Sequence, residues 1–225
     1  MDINDEKIDI EIVKSKGFII YYKLVDLQRS LDIFKNNYNE LNMVFEISQH
    51  PIVSMQIASL SLQEITYIYQ KYTNFIMSTS MLIEHTRVFM SFYKPINERV
   101  YNQYNLDKDR LFAKNDMCCF IKELRNFTTH VGYPEIECLV PLKSNLVTYY
   151  LKITLEQYDW NTSSKKFILD NKQKISLNKL SKEYYDLVNN FYCNLLKKIS
   201  DIHTVDFEET NRLMQLSNRL KGFND

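Results

Sequence analysis

A chain of 225 residues with 3 glycines and 4 prolines has few places to turn. Glycine and proline are the strongest local interrupters of regular structure. Where they are this sparse, long helices are the natural outcome, and the apolar spacing agrees. Across residues 19–47, Leu24, Leu27, Leu31, Phe34, Tyr38, Leu41 and Phe45 recur at three- and four-residue intervals, which predicts one long amphipathic helix. His50-Pro51 breaks it. Ser61-Leu62-Gln63-Glu64 has the form of a capping box and opens a second long helix over residues 62–93. Its apolar members are Ile65, Ile68, Tyr72, Phe75, Ile76, Met81, Ile83 and Phe89. Pro95 kinks or ends it, residues 96–104 read as a short extension, and residues 105–114 read as a polar connection.

A third helix is predicted over residues 116–129, where Met117, Phe120, Ile121, Leu124 and Phe127 share a face and Gly132 and Pro134 then stop the run. Residues 139–155 change period. Val147, Tyr149, Leu151, Ile153 and Leu155 alternate with polar neighbours, and Lys143-Ser144-Asn145 can turn a small hairpin back onto Leu139-Val140. A short helix is expected over residues 163–171, a long one over 178–199 and a last one over 206–220, capped by Gly222. Ile8, Ile10 and Ile12 fit either a strand or the start of a helix. The expected fold is mainly α: an antiparallel helical bundle forming one domain over residues 1–225, with a small β insertion at 139–155 and C-terminal helices over 178–220.

Composition narrows the function classes. With 45% hydrophobic residues the chain can bury a substantial core. It carries 28 basic and 28 acidic side chains, so a broad positive surface for coating long nucleic acid would require an acidic face elsewhere. Lys108, Arg110, Lys114, Lys122 and Arg125, set against Asp107, Asp109, Asp116 and Glu123, form either a small phosphate footprint or an ordinary mixed-sign helix surface. Cys118, Cys119, Cys138 and Cys193 make no C-x-x-C pair and no zinc spacing with histidine, so a metal is not expected. The acidic opening Met1-Asp2-Ile3-Asn4-Asp5-Glu6 is unlike a secretory leader, and no apolar run reaches about 18 residues. Those features lead to the expectation of a cytoplasmic protein with reduced thiols and no membrane contact.

The chemistry concentrates in Arg125-Asn126-Phe127-Thr128-Thr129-His130. A histidine can move a proton near neutral pH, and an arginine can hold a phosphate through two parallel bonds and stabilise developing charge. On a helix Asn126 and His130 are i,i+4 neighbours, so the amide can reach the imidazole. Arg125 and His130 lie about 140° apart around an ideal helix, so they share one focus only if the helix frays or a second chain completes the site. The alternative is a plain helix end, with His130 complementing the dipole and Arg125 solvated. His85, beside Glu84 and near Arg87, lacks the further ligands of a metal site and reads as a partly buried or surface histidine; the alternative is that its helix packs beside the motif helix and lends Glu84, His85 or Arg87 to the site. No Gly-rich phosphate loop, G-x-S-x-G or H-E-x-x-H occurs.

Arg125, Asn126 and His130 together resemble the R-x4-6-H signature of the HEPN superfamily, in which Asn, Asp or His often follows the arginine. Leu124-Arg125-Asn126-Phe127-Thr128-Thr129-His130 with Pro134 looks like the bacterial form of that pattern. The sharp likeness covers about ten residues. A looser one in organisation runs from the strand-like stretch through Trp160 to Glu183-Tyr184-Tyr185 and Phe191-Tyr192. The resemblance implies an all-helical dimer paired through the motif helix and, in many members, RNA cleavage without metal or other cofactor. It implies Arg125, Asn126 and His130 as catalytic residues; Lys122, Thr129 and Tyr133 are the candidate substrate contacts. A toxin or phage-defence setting, with an antitoxin or defence-system partner, is part of the same expectation. So is the alternative that the fold serves as an inactive nucleotide- or RNA-binding module. In members paired with a nucleotidyltransferase a tyrosine follows the histidine by two positions, whereas Tyr133 follows His130 by three.

Overall fold

The computed structural model describes residues 3–49, 62–140 and 147–221. The expected His50-Pro51 break, the Ser61 cap, the Lys143-Ser144-Asn145 turn and the Gly222 cap lie outside those residues. In chain order the elements are α1 (Ile3–Lys14), α2 (Lys16–Ser48), α3 (Leu62–Tyr93), α4 (Glu98–Lys108), a π turn (Asp109–Ala113) and α5 (Asp116–His130). There follow β1 (Glu135–Leu139), β2 (Thr148–Lys152), a 3-10 turn (Leu155–Gln157), α6 (Thr162–Asp170), β3 (Lys174–Ser176), α7 (Leu177–Ile202) and α8 (Thr204–Leu220). The fold is mainly α with one small antiparallel sheet.

Side-chain contacts fix the direction of the long helices. Ser30 meets His85, Phe34 stacks on Phe75, and Glu40 pairs with Lys71. Positions rise along α2 as they fall along α3, so the two run antiparallel. Tyr38 stacks on Tyr185 at 3.9 Å between centroids and Lys35 reaches Cys193, which sets α7 antiparallel to α2 as well. The seven apolar positions expected on α2 are all buried. On α3 the stripe runs through Ile68, Tyr72, Phe75, Ile76, Leu82, Phe89 and Tyr93. Ile83 was expected inside but is 46% exposed; Leu82 takes the inward position, because the row spaced by three and four from Phe75 passes through 82 and 86.

Three other boundaries differ from expectation. Residues 105–114 are not a polar connection. α4 continues to Lys108 and the π turn carries on, with the Lys114 N–H donating to Asp109 O at 3.3 Å. The β insertion starts earlier than residue 139: β1 is Glu135–Leu139, pairing Glu135 with Lys152 and Leu139 with Thr148. β3 forms a third strand on the other side of β2. Ile136, Leu151 and Ile175 line up across the three strands on the buried face, and the Lys152–Glu135 and Lys174–Glu137 pairs lie on the outer one. Gln49 ties the end of α2 to this sheet with two 2.8 Å bonds to the Val147 backbone.

Candidate functional site

The motif sits on α5, and local chemistry explains why that helix forms. The Asn115 side chain caps it, accepting from the Met117 and Cys118 amides at 3.0 and 3.2 Å. Asp116 in the first turn complements the dipole and pairs with Lys166 of α6 at 2.5 Å. Phe120, Ile121, Leu124 and Phe127 are buried. Phe120 stacks on Phe167 at 5.0 Å and Phe127 on Trp160 at 5.7 Å, so an aromatic cluster on α6 and the segment before it locks the rotation of α5.

That rotation sets the remaining faces. Arg125 is half-buried and turns toward α3. Its Nη1 donates to Ser80 Oγ at 3.0 Å; its Nε and Nη2 donate to Asn126 Oδ1 at 3.3 and 2.8 Å. Three of its five N–H groups are used, which leaves one on each terminal nitrogen. Asn126 therefore holds the guanidinium; the expected bond from its amide to His130 is not formed. The helix does not fray: it runs through His130, and the Val131 and Gly132 amides both donate to Phe127 O. His130 is exposed and has no hydrogen-bond or ion-pair partner among the described residues. With an intact helix the two side chains leave the axis about 140° apart, so one chain alone does not focus them on one atom.

Lys122 and Thr129 are exposed on the Arg125 side of α5, and the Thr129 hydroxyl donates to Arg125 O. Tyr133 is 60% exposed and sits 5.1 Å from the ring of Tyr69. Tyr69 in turn clamps the chain after the motif: its hydroxyl donates to Pro134 O at 2.6 Å and accepts from the Ile136 amide. Burial pushes the Tyr69 phenol up from its ordinary range, so it stays a neutral donor. The sequence did not single out Ser80 or Tyr69. α3 does pack beside the motif helix, with Ser80 bonding Arg125, while Tyr69 holds the chain that follows it. Glu84 and Arg87 pair with each other, and the His85 Nδ1 faces Ser30 of α2 at 2.5 Å.

A second polar network was also missed. His203, in the turn between α7 and α8, is 3% exposed. Its Nε2 meets Tyr93 Oη at 2.8 Å and its Nδ1 meets Asp206 at 2.6 Å, while Asp206 pairs with Lys16 at 2.9 Å. Burial opposes ionisation of Asp206, but the bonds from His203 and Lys16 outweigh it and hold the carboxyl below its usual range. Two surface cavities, of about 500 Å³ between α2, α7 and α8 and about 290 Å³ between α4 and α7, include none of Lys122, Arg125, Asn126, Thr129, His130 or Tyr133. Among the described residues no cluster of three metal-ligating side chains occurs, and no helix is long and apolar enough to cross a membrane. No protein-family model, curated protein or solved structure matches the chain.

Proposed function

We propose that the chain is a metal-independent endoribonuclease of the HEPN type that works as a pair of identical subunits. The observation that carries the reading is the division of labour on α5. Arg125 is braced by Ser80 and Asn126 with two N–H groups to spare, and five residues later His130 stands exposed and unpartnered. In this scheme the substrate 2′-hydroxyl attacks the adjacent phosphate, His130 moves a proton, and Arg125 stabilises the charge on the phosphorane. Asn126 acts by holding Arg125. Lys122 and Thr129 contact the strand, and the Tyr69–Tyr133 pair offers a face on which a base stacks. Because the two side chains diverge on one chain, each cleft takes its arginine from one subunit and its histidine from the other across a twofold axis. A toxin or phage-defence role, with a neutralising or activating partner protein, is the setting in which such an activity fits.

The products are expected to be a 2′,3′-cyclic phosphate and a 5′-hydroxyl, formed in EDTA and not from all-deoxy substrate. Arg125→Ala and His130→Ala should each be inactive. Co-expressed, they should recover about a quarter of wild-type activity, since about half of randomly paired dimers are mixed and each mixed dimer holds one intact composite site. No recovery, with dimers still forming, would discard the two-chain site. The second reading is an inactive binding module with the same surface. The zero net charge favours it, and intact RNA at high protein concentration, with RNA still bound, would establish it.

A further inference from the structure

The 290 Å³ groove between α4 and α7 is made of chemistry that the motif does not use. Its floor is apolar and aromatic, with the rings of Tyr104 and Phe191 5.9 Å apart and Leu111 beside them. Burial pushes the Tyr104 phenol up to about 12, so this floor carries no charge near neutral pH. One bank holds Gln103, Asp107 and Arg110, and the other Asn190, Asn194 and Lys198. The latter three are spaced by four and so form one row along α7. None of the three has a hydrogen-bond or ion-pair partner among the described residues.

Arg110 belongs to the π turn, a conformation that recurs at functional sites. Its pairing with Asp107, at 3.2 Å, is solvent-exposed and is worth under about 1 kcal/mol, so the guanidinium is free to turn to a ligand. Phe112 of the same turn lies 5.1 Å from Phe191, which places the aromatic floor and Arg110 at one end of the groove. Lys198 stands seven residues further along α7, about 10 Å away. A guanidinium at one end, a flat apolar floor next to it and unpartnered amides along the wall suit a small heteroaromatic ring that bears one anionic group. The volume is at the low end for ligand sites, enough for one ring and a sugar and too small for a dinucleotide.

We propose that this groove binds a nucleoside monophosphate, with its phosphate on Arg110, its base against Phe191 and Tyr104, and the base edge read by Asn190 and Asn194. The site is separate from the Arg125–His130 stretch, whose histidine ends α5 about 20 Å along its axis from the end that adjoins the π turn. It does not depend on the nuclease reading. Calorimetric titration of the purified chain with AMP, GMP, CMP and UMP tests it. At least one should bind saturably, and adenosine or the matching nucleoside, and inorganic phosphate, should each bind at least about tenfold more weakly. Arg110→Ala and Asn194→Leu should each weaken binding by about tenfold or more, with unchanged circular dichroism and melting temperature. Lys198→Ala should cost far less, and His130→Ala nothing. The proposal is overturned if no monophosphate saturates below about 5 mM, if nucleoside or phosphate alone binds as well, or if Arg110→Ala binds as tightly as wild type.

Discussion

Replacing Gly17 with alanine is a demanding test of how α2 and α8 meet. A Cβ at Gly17 would stand 2.1 Å from the Asp206 carbonyl oxygen, about 1.3 Å inside the 3.4 Å of ordinary contact, and 2.4 Å from Thr210 Oγ1. The obstruction is backbone, so no rotamer relieves it. α8 would have to withdraw, but Asp206 is held by Lys16 and His203, and Thr210 Oγ1 lies 3.0 Å from Ser15 Oγ. Two effects compete. Alanine is favoured over glycine in a helix by up to about 1 kcal/mol. Overpacking a fixed contact costs about 1–3 kcal/mol, and loosened Asp206 bonds add to that. The clash should win by about 2 kcal/mol, a fall of about 4–8 °C in Tm for a chain of this size. Urea and thermal unfolding by circular dichroism measure it. A Gly17→Ala protein as stable as wild type, or more so, would mean that the helices do not cross this closely.

Asp206→Asn should cost about 1–2 kcal/mol, less than a fully buried pair because the Asp206 side chain is 25% exposed; equal urea midpoints for variant and wild type would contradict the His203–Asp206–Lys16 linkage. Among the described residues four carboxyls are held below their usual range. Lys221 and Ser217 bond Asp9, Lys166 bonds Asp116, Lys174 bonds Glu137, and at Asp206 the bonds from His203 and Lys16 overcome burial. Each binds more protons unfolded than folded, so their contribution is complete above about pH 4–5 and is lost as pH falls through the depressed folded values. The urea midpoint should therefore drop between about pH 4 and pH 2, and a flat profile there would refute the assignment. If Ser80 aims Arg125, Ser80→Ala should lower RNA cleavage by about tenfold while costing under about 1.5 kcal/mol of stability; undiminished cleavage would free Arg125 from that requirement.

The long helices were legible because their signal is local. The bodies of α2 and α3 follow from apolar spacing, and the capping box and Pro95 mark the Leu62 and Tyr93 ends of α3. The choice between Leu82 and Ile83 was not, since neighbouring apolar residues both fit a stripe and packing decides. β3 left no trace because the turn before it uses Lys172 and Gln173 at φ 53° and 59°, left-handed positions without the glycine or asparagine that normally marks them. The π turn was masked by the polarity of residues 105–114. In the candidate site, Arg125, Asn126 and His130 stand out as a pattern, but the pattern misassigned the partner of Asn126. Ser80 and Tyr69 were invisible because they sit on α3, 45 and 65 positions before the groups they engage. The sequence did not single out His203 either. Its two partners come from α3 and α8, and only the tertiary fold joins them.

The ends of the described chain are stitched together: Lys221 reaches Asp9 at 2.7 Å, Ser217 bonds Asp9 as well, and Thr210 meets Ser15. During synthesis, then, the first two helices leave the ribosome with part of their apolar surface uncovered. The part that faces α8 stays so until that helix is made, Thr210 lying 195 positions after Ser15. Closure of this seam therefore waits on α8. A premature stop ahead of α8 would strip Asp9 and Ser15 of the partners that they find there.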